Sequence, residues 1–308
     1  CCTQNGVRGG SSTTHFPFWH KEIQEILVLK NNRGTDDNRV RKMDYSIQFN
    51  KLFYKRFIDD KPVTLFSPHD VPDLYDAFVA GSDSFYELYE QYESSRKTPK
   101  MKISARKLFM QFCQERIETG RMYVMNMDHV NEHSSFLDSV NMSNLCQEIT
   151  LPTTPLTHID DDEDNDGEIA LCVLSAINVG AIRKLEELQD ICSNIVRSLD
   201  SVIEYQSYPV SASKKMLKRR SIGVGITNLA YYLAKHNVRY DDKEACNVVD
   251  ELMEYIQYYL IKASVDLARE KGKCEWFDKT KYSKGILPID TYCKEVDKLV
   301  TRKLKLNW

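Results

Sequence analysis

Apolar residues recur at helical spacing over several stretches of the chain. Phe16, Trp19, Ile23, Ile26 and Leu27 predict a helix across 15–30, ended by Asn31-Asn32-Arg33-Gly34. Ile47, Leu52, Phe53 and Phe57 predict a second, less regular helix across 47–57. An amphipathic helix is expected over 102–118, stopped by Gly120, with long helices over 182–205 and 244–271. Between them lie runs of strand length: Thr64-Leu65-Phe66, 121–126, 168–176 and 221–227, the last leading into a further helix. Ser67-Pro68 offers a cap and a first-turn proline for a helix running toward Phe78. Short apolar strands alternating with helices of ten or more residues predict an α/β architecture, with parallel strands and a helical outer layer. No internal repeat and no domain linker interrupts the pattern.

Composition narrows the function classes. The 308 residues are 42 % apolar, enough to bury one large core or two modest ones, and the formal charge is −3 with both signs interspersed. That balance argues against a nucleic-acid binder, which carries a basic excess on one face. No run of 18 apolar residues occurs and no charged-then-apolar leader opens the chain, so neither a membrane span nor secretion is expected. Nine cysteines without a C-x-x-C pair are too sparse for a disulfide scaffold, and reduced cytoplasmic thiols are expected. The chain opens Cys1-Cys2-Thr3 and stops at Leu306-Asn307-Trp308, which reads as a segment of a longer polypeptide.

Several tempting motifs fail on their own chemistry. Asp162-x-Asp164-x-Asp166-Gly167 begins like a calcium loop, but its twelfth position is Val173 instead of a bidentate Glu, so a solvated acidic turn is expected. His129 and His133 stand four apart, yet Asp128, Asn131 and Ser134-Ser135 favour a loop, and no third metal ligand is indicated. Gly223-x-Gly225-x-x-Asn228 is one glycine short of a dinucleotide fingerprint. The basic stretch 214–220 reads as a solvated face, and the pairs Tyr231-Tyr232 and Tyr258-Tyr259 as packing residues. No metal site is expected.

Ser143-Asn144-Leu145-Cys146-Gln147-Glu148-Ile149 is the informative stretch. If it is extended, Asn144, Cys146 and Glu148 share one face, about 7 Å apart at each step. An amide, a thiol and a carboxylate could then touch one small polar substrate. The same residues also fit a plain strand with a buried cysteine and two polar neighbours.

The word Ser143-Asn144-Leu145-Cys146-x-Glu148 resembles a signature of the large subunit of class I ribonucleotide reductases. So do the blocks from Arg33-Gly34 through Arg39-Val40-Arg41-x-Met43-Asp44-Tyr45, and Leu65-Phe66-Ser67-Pro68. Glu168-Ile169-Ala170-Leu171-Cys172-x-Leu174-Ser175-Ala176 and Gly285-Ile286-Leu287-Pro288-Ile289-Asp290-Thr291-Tyr292 follow in the family's order, across essentially the whole chain. The resemblance implies the central part of a ten-stranded α/β barrel, with a finger loop at 141–150 and helices outside. It implies that Cys146 becomes a transient thiyl radical that removes the ribose 3′ hydrogen. It also implies that Glu148 is general base on the 3′ hydroxyl, that Asn144 orients the substrate hydroxyls, and that Cys172 is one of two thiols that reduce the 2′ position. The partner of Cys172 would lie before this segment. The opening stretch 1–11, with Cys2, Thr3, Gln4, Asn5, Gly6, Val7, Arg8, Gly9 and Gly10, resembles the loop that couples a dNTP or ATP effector to substrate choice.

By the same resemblance the chain binds no cofactor of its own. Its radical would come from a small, metal-containing subunit, its reducing equivalents from thioredoxin or glutaredoxin, and its substrate would be a ribonucleoside diphosphate. A homodimer of large subunits is implied, with no nucleic-acid or membrane partner. The segment is expected to be inactive without the remaining large-subunit parts. The alternative is a non-catalytic nucleotide-binding scaffold fragment.

Overall fold

The computed structural model describes residues 3–4, 6–159, 166–291 and 300–308, in two units, Cys1–Thr153 and Thr154–Trp308. The first unit opens with a small hairpin, β1 (Thr3–Gln4) antiparallel to β2 (Arg8–Gly9). Gly6, at φ +74°, supplies a backbone angle that side-chain-bearing residues avoid. Next come β3 (Thr13–Pro17), α1 (Ile23–Leu27), β4 (Asp44–Phe49), α2 (Lys51–Ile58) and β5 (Pro62–Leu65). The unit continues through α3 (Leu74–Ala80), α4 (Ser82–Ser94), β6 (Met101–Ser104), α5 (Ala105–Thr119), β7 (Met122–Asn126) and α6 (Met127–His133).

Strands β3, β4 and β7 form an all-parallel sheet with β4 in the centre, where every one of its residues is buried. Its sequence, Asp44-Tyr45-Ser46-Ile47-Gln48-Phe49, alternates strictly, so the two faces differ in chemistry. Tyr45, Ile47 and Phe49, joined by Phe16 and Met122, make an apolar face that enters the unit's core. Asp44, Ser46 and Gln48 share the other face with Thr13 and His15. An aromatic cluster anchors the core, with Phe18, Phe53, Phe78 and Phe85 packed at ring separations of 5.0 to 6.3 Å. The Arg56 guanidinium grips the Glu93 carboxylate through two hydrogen bonds, 2.8 and 2.7 Å. Burial is the largest single influence on that carboxyl and raises it, but these bonds, the Thr64 hydroxyl and the charges of Arg56 and Lys102 together hold it below its ordinary value.

The second unit contains β8 (Val173–Asn178), α7 (Leu188–Tyr205), the one-turn helices α8 (Ser211–Lys214) and α9 (Met216–Arg219), β9 (Ile222–Thr227), α10 (Leu229–Lys235) and α11 (Lys243–Lys271). Strands β8 and β9 pair in parallel, and α7 packs on α11 over a core of Ile177, Val179, Leu188, Cys192, Leu252 and Ile256. Segment 300–308 is tied to α11 through Glu254, whose carboxylate accepts from Arg302 and from the Lys305 and Leu306 backbone N–H groups.

The α/β class is as expected, and β3, β4, β7, β8 and β9 pair in parallel, whereas β5 and β6 form an antiparallel pair as β1 and β2 do. The described strands do not close into a barrel. Helices 102–118 and 244–271 fall close to their expected bounds. Ser104 caps the first, and Gly120 ends it in the left-handed conformation at φ +66°.

Four expectations shift. The stretch 15–30 is a strand, a turn and a short helix, because its apolar residues are buried one after another by a chain that changes direction after Pro17. The stretch 47–57 divides at Asn50, whose side chain accepts from Phe53 N and starts α2 there. The helix expected after Ser67-Pro68 begins only at Leu74, since Pro72 holds Val71 away from helical angles. Residues 127–133 form helix α6 instead of a loop, with the His129 and His133 rings 6.1 Å apart. No cluster of three metal-ligating groups occurs among the described residues.

The decoy motifs resolve similarly. Residues 160–165 of the acidic stretch lie outside the described residues, and the strand expected over 168–176 begins only at Val173 and runs to Asn178. Gly223 and Gly225 stand inside β9, and a Cβ at Gly223 would come within 2.6 Å of the Leu174 Cδ2 methyl, the far end of an exposed side chain that can turn aside. The basic stretch is not wholly solvated: Arg219 is 6 % exposed and pairs with Glu168, while Arg220 pairs with Asp200. No helix of the described residues is long and apolar enough to cross a membrane.

Candidate active site

The polar face of the first unit's sheet carries segment 141–149 through three side-chain contacts to alternate backbone carbonyls. Gln48 Nε2 donates to Asn141 O at 2.7 Å, His15 Nε2 to Ser143 O at 3.1 Å, and Thr13 Oγ1 to Leu145 O at 2.7 Å. Three side chains on two neighbouring strands thus hold one passing chain, and the Tyr75 hydroxyl adds a second, longer bond to Asn141 O at 3.4 Å.

Beyond Ser143 the chain turns. Gln147 N donates to Asn144 O at 3.2 Å, closing a four-residue turn whose central pair is Leu145 and Cys146. Gln147 then adopts φ +70°, uncommon for a residue with a side chain. The Asn144 side chain braces the exit, its Oδ1 accepting from Ile149 N at 3.0 Å and from Ser143 Oγ at 3.2 Å. An extended strand with Asn144, Cys146 and Glu148 on one face is therefore not what forms. The asparagine's hydrogen bond to a backbone N–H five residues on favours the turn over the strand. Cys146 and Glu148 are both exposed and Asn144 is half-buried. With Oδ1 engaged inside the loop, Asn144 has its Nδ2 donor left for a ligand.

His15 connects the sheet to the turn at two points. Besides its bond to Ser143 O, its Nδ1 accepts from Gln147 Nε2 at 3.3 Å. A carbonyl only accepts, so this arrangement assigns the ring proton to Nε2. Burial pushes the imidazole below its ordinary value, opposed in part by the Ser143 carbonyl, which keeps the ring neutral near pH 7.

In the second unit, Cys172 is exposed immediately before β8. The chain leading to it is pinned. Glu168 exchanges two backbone hydrogen bonds with Thr154 (3.0 and 3.1 Å), and Ile169 N donates to Ala212 O. The Glu168 carboxylate receives Arg219 through Nε at 2.6 Å and an Nη at 2.8 Å.

Compared with known proteins, residues 1–308 match the family described as ribonucleotide reductase, barrel domain. The chain belongs to the ribonucleotide reductase family. It is 53 % identical to the ribonucleoside-diphosphate reductase subunit alpha of Haemophilus influenzae, over all of this chain and 41 % of the relative. It is 50 % identical to the ribonucleoside-diphosphate reductase 1 subunit alpha of Escherichia coli and 41 % identical to the subunit alpha of Enterobacteria phage T4, each over all of this chain and 40 % of the relative. The chain thus spans about two fifths of the length of these relatives.

Within this reductase barrel segment the described cysteines divide by environment. Cys146, Cys172 and Cys246 are exposed, whereas Cys192 is buried and its thiol is pushed up to about 11 by burial. Cys1, Cys2, Asn5 and Cys293 lie outside the described residues. Of the opening loop, Thr3 and Gln4 pair with Gly9 and Arg8, and Val7 projects from the hairpin, 91 % exposed. Sequence reasoning missed Thr13, His15 and Gln48, which position the candidate loop. The strict alternation of 44–49 was the available signal that Gln48 lies on a polar sheet face.

Proposed function

We propose that this chain is the central catalytic segment of a class I ribonucleoside-diphosphate reductase large subunit, and that Cys146 carries the radical. The observation that supports this reading is the family's Asn-Leu-Cys-x-Glu word lying on an exposed turn, cradled by a polar sheet face, in a chain that matches the family throughout. In the complete subunit the parallel strands belong to a ten-stranded barrel, with 141–150 as its inner finger loop.

A small metal-containing subunit removes one electron and a proton from the Cys146 thiol. The resulting thiyl radical takes the 3′ hydrogen of a bound ribonucleoside diphosphate. Thiol S–H and activated sugar C–H bonds are close in strength, so the transfer is reversible. After the 2′ position is reduced, the Cys146 thiol returns the hydrogen to the 3′ carbon, and the re-formed thiyl radical takes back an electron and a proton from the partner subunit. Glu148 holds and moves the proton of the 3′ hydroxyl, and it must reach within hydrogen-bonding distance to do so. Asn144 donates from Nδ2 to a substrate hydroxyl. The 2′ hydroxyl leaves as water, and two thiols, one of them Cys172, supply the two electrons and end as a disulfide. Closure of that bond needs α-carbons about 5.5 Å apart, and thioredoxin or glutaredoxin then reduces it. Gln4, Arg8 and their neighbours form the loop through which a dNTP or ATP effector biases base selection, so effector and substrate are coupled through one mobile element. The working assembly is a cytoplasmic homodimer of complete large subunits with the small subunit.

A single-turnover experiment tests the function. The assembled enzyme, pre-reduced and freed of external reductant, is expected to form at most one deoxynucleotide per active thiol pair, with Cys172 protected from alkylation in proportion to product. Product formed while Cys172 remains fully alkylatable contradicts its assigned role. Absence of any burst contradicts the reaction itself.

A further inference from the structure

We infer that His15 and Gln147 form a positioning clamp that fixes the Cys146 turn. The proposal rests on the reading of Cys146 as the radical thiol and adds two residues that touch neither substrate nor cofactor. Gln147 is the strained member: at φ +70° it occupies the left-handed region that residues with a side chain disfavour, so something must hold it. The amide of its side chain donates to His15 Nδ1 at 3.3 Å, and the far side of the same ring donates to Ser143 O at 3.1 Å. One rigid imidazole therefore bridges the entrance and exit of the turn whose central pair is Leu145 and Cys146.

Rigidity comes from below. His15 stands within β3, in register with Ser46 on the fully buried central strand β4. Its ring carries the sheet's fixed position into a loop that has no regular secondary structure of its own. Thr13, two residues earlier on the same face, reaches the carbonyl of Leu145 and stops the turn from rotating about the imidazole. Radical transfer to a ribose carbon depends on the sulfur's position at sub-ångström scale, and misplacement from a distance lowers rate more than affinity. Removing the clamp should therefore appear in kcat and leave KM unchanged.

The test has two arms. In the 308-residue chain, His15→Leu should speed hydrogen exchange of the Gln147 amide about tenfold, the scale of one net hydrogen bond, and leave the Ile47 amide of β4 unchanged. In the complete subunit assembled with its radical-supplying partner, His15→Leu and Gln147→Leu should each lower kcat about tenfold at constant KM. The double variant should lose less than the product of the two single losses, because one interaction is removed twice. His15→Gln, which keeps a donor toward Ser143 O and an acceptor toward Gln147, should retain most of the activity. Parental exchange at Gln147 in His15→Leu overturns the clamp. So do single losses that simply multiply in the double variant, or full kcat in a variant whose turn has loosened. The exchange arm does not depend on turnover, so it stands or falls separately from the role of Cys146, which serine substitution at that position addresses.

Discussion

Replacing Cys146 with serine is expected to lower deoxynucleotide formation by at least about a thousandfold, or about 4 kcal/mol of barrier, with the fold intact. Serine is nearly isosteric, and Cys146 is exposed, so no core contact is lost. The backbone bonds that define the turn run through Asn144, Gln147 and Ile149 and do not use the thiol. What changes is the strength of the bond to hydrogen. An alcohol O–H is far stronger than a thiol S–H, so a partner subunit able to oxidise the thiol cannot oxidise the hydroxyl. Turnover of the assembled enzyme, with effector binding measured in parallel, reads the result. A catalytic role requires product to vanish while the effector still binds, whereas a scaffold would keep both unchanged. Retained product formation removes the radical assignment.

The second large effect concerns stability. Arg219→Met is expected to destabilise the second unit by about 3–5 kcal/mol, because it leaves the Glu168 carboxylate buried without its partner. The pair's side chains are 3 % and 7 % exposed, too little for water to replace the guanidinium. Trp276 lies 4.9 Å from the Arg219 guanidinium and adds a cation–π contact that the methionine loses. Arg219→Met combined with Glu168→Leu should recover much of the loss, since replacing both members of a buried pair by apolar groups is often neutral. Urea unfolding followed by circular dichroism checks this, through a lowered midpoint in the single variant and partial recovery in the double. Equal midpoints for the parent and Arg219→Met would mean the pair contributes nothing. Glu168 sits four residues before Cys172, so the single variant should also loosen the chain that presents that thiol.

How far the sequence reveals this structure depends on the range of the interactions concerned. Helix α11 is legible because its apolar spacing and its final Lys271-Gly272 are local signals. Gly120 likewise announces the end of α5. Strand β4 was equally legible through its period of two, but Ile47 also fits a helical spacing with Leu52, Phe53 and Phe57. The boundary between the two periods lies at Asn50, whose side chain caps α2 and separates the strand from the helix. The cysteine-bearing word points to its chemistry by resemblance, but its turn could not be read from alternation. The partners of 141–145 are Gln48, His15 and Thr13, separated in sequence by 93 to 132 residues, and only the folded sheet brings them to alternate carbonyls. Arg219 misled for a related reason. Five basic residues in seven, 214–220, suggest solvent, yet one of them finds a carboxylate 51 residues away and is buried with it.

The central claim is that the sulfur of Cys146 removes the 3′ hydrogen, and a kinetic isotope effect tests it most directly. The assembled enzyme is given a ribonucleoside diphosphate carrying deuterium at the 3′ carbon, in competition with the unlabelled nucleotide. A primary isotope effect on kcat/KM, with product retaining deuterium at that carbon and Cys146→Ser forming none, is the result predicted here. Equal consumption of the two substrates, or deoxynucleotide formation that persists without the Cys146 thiol, would contradict it.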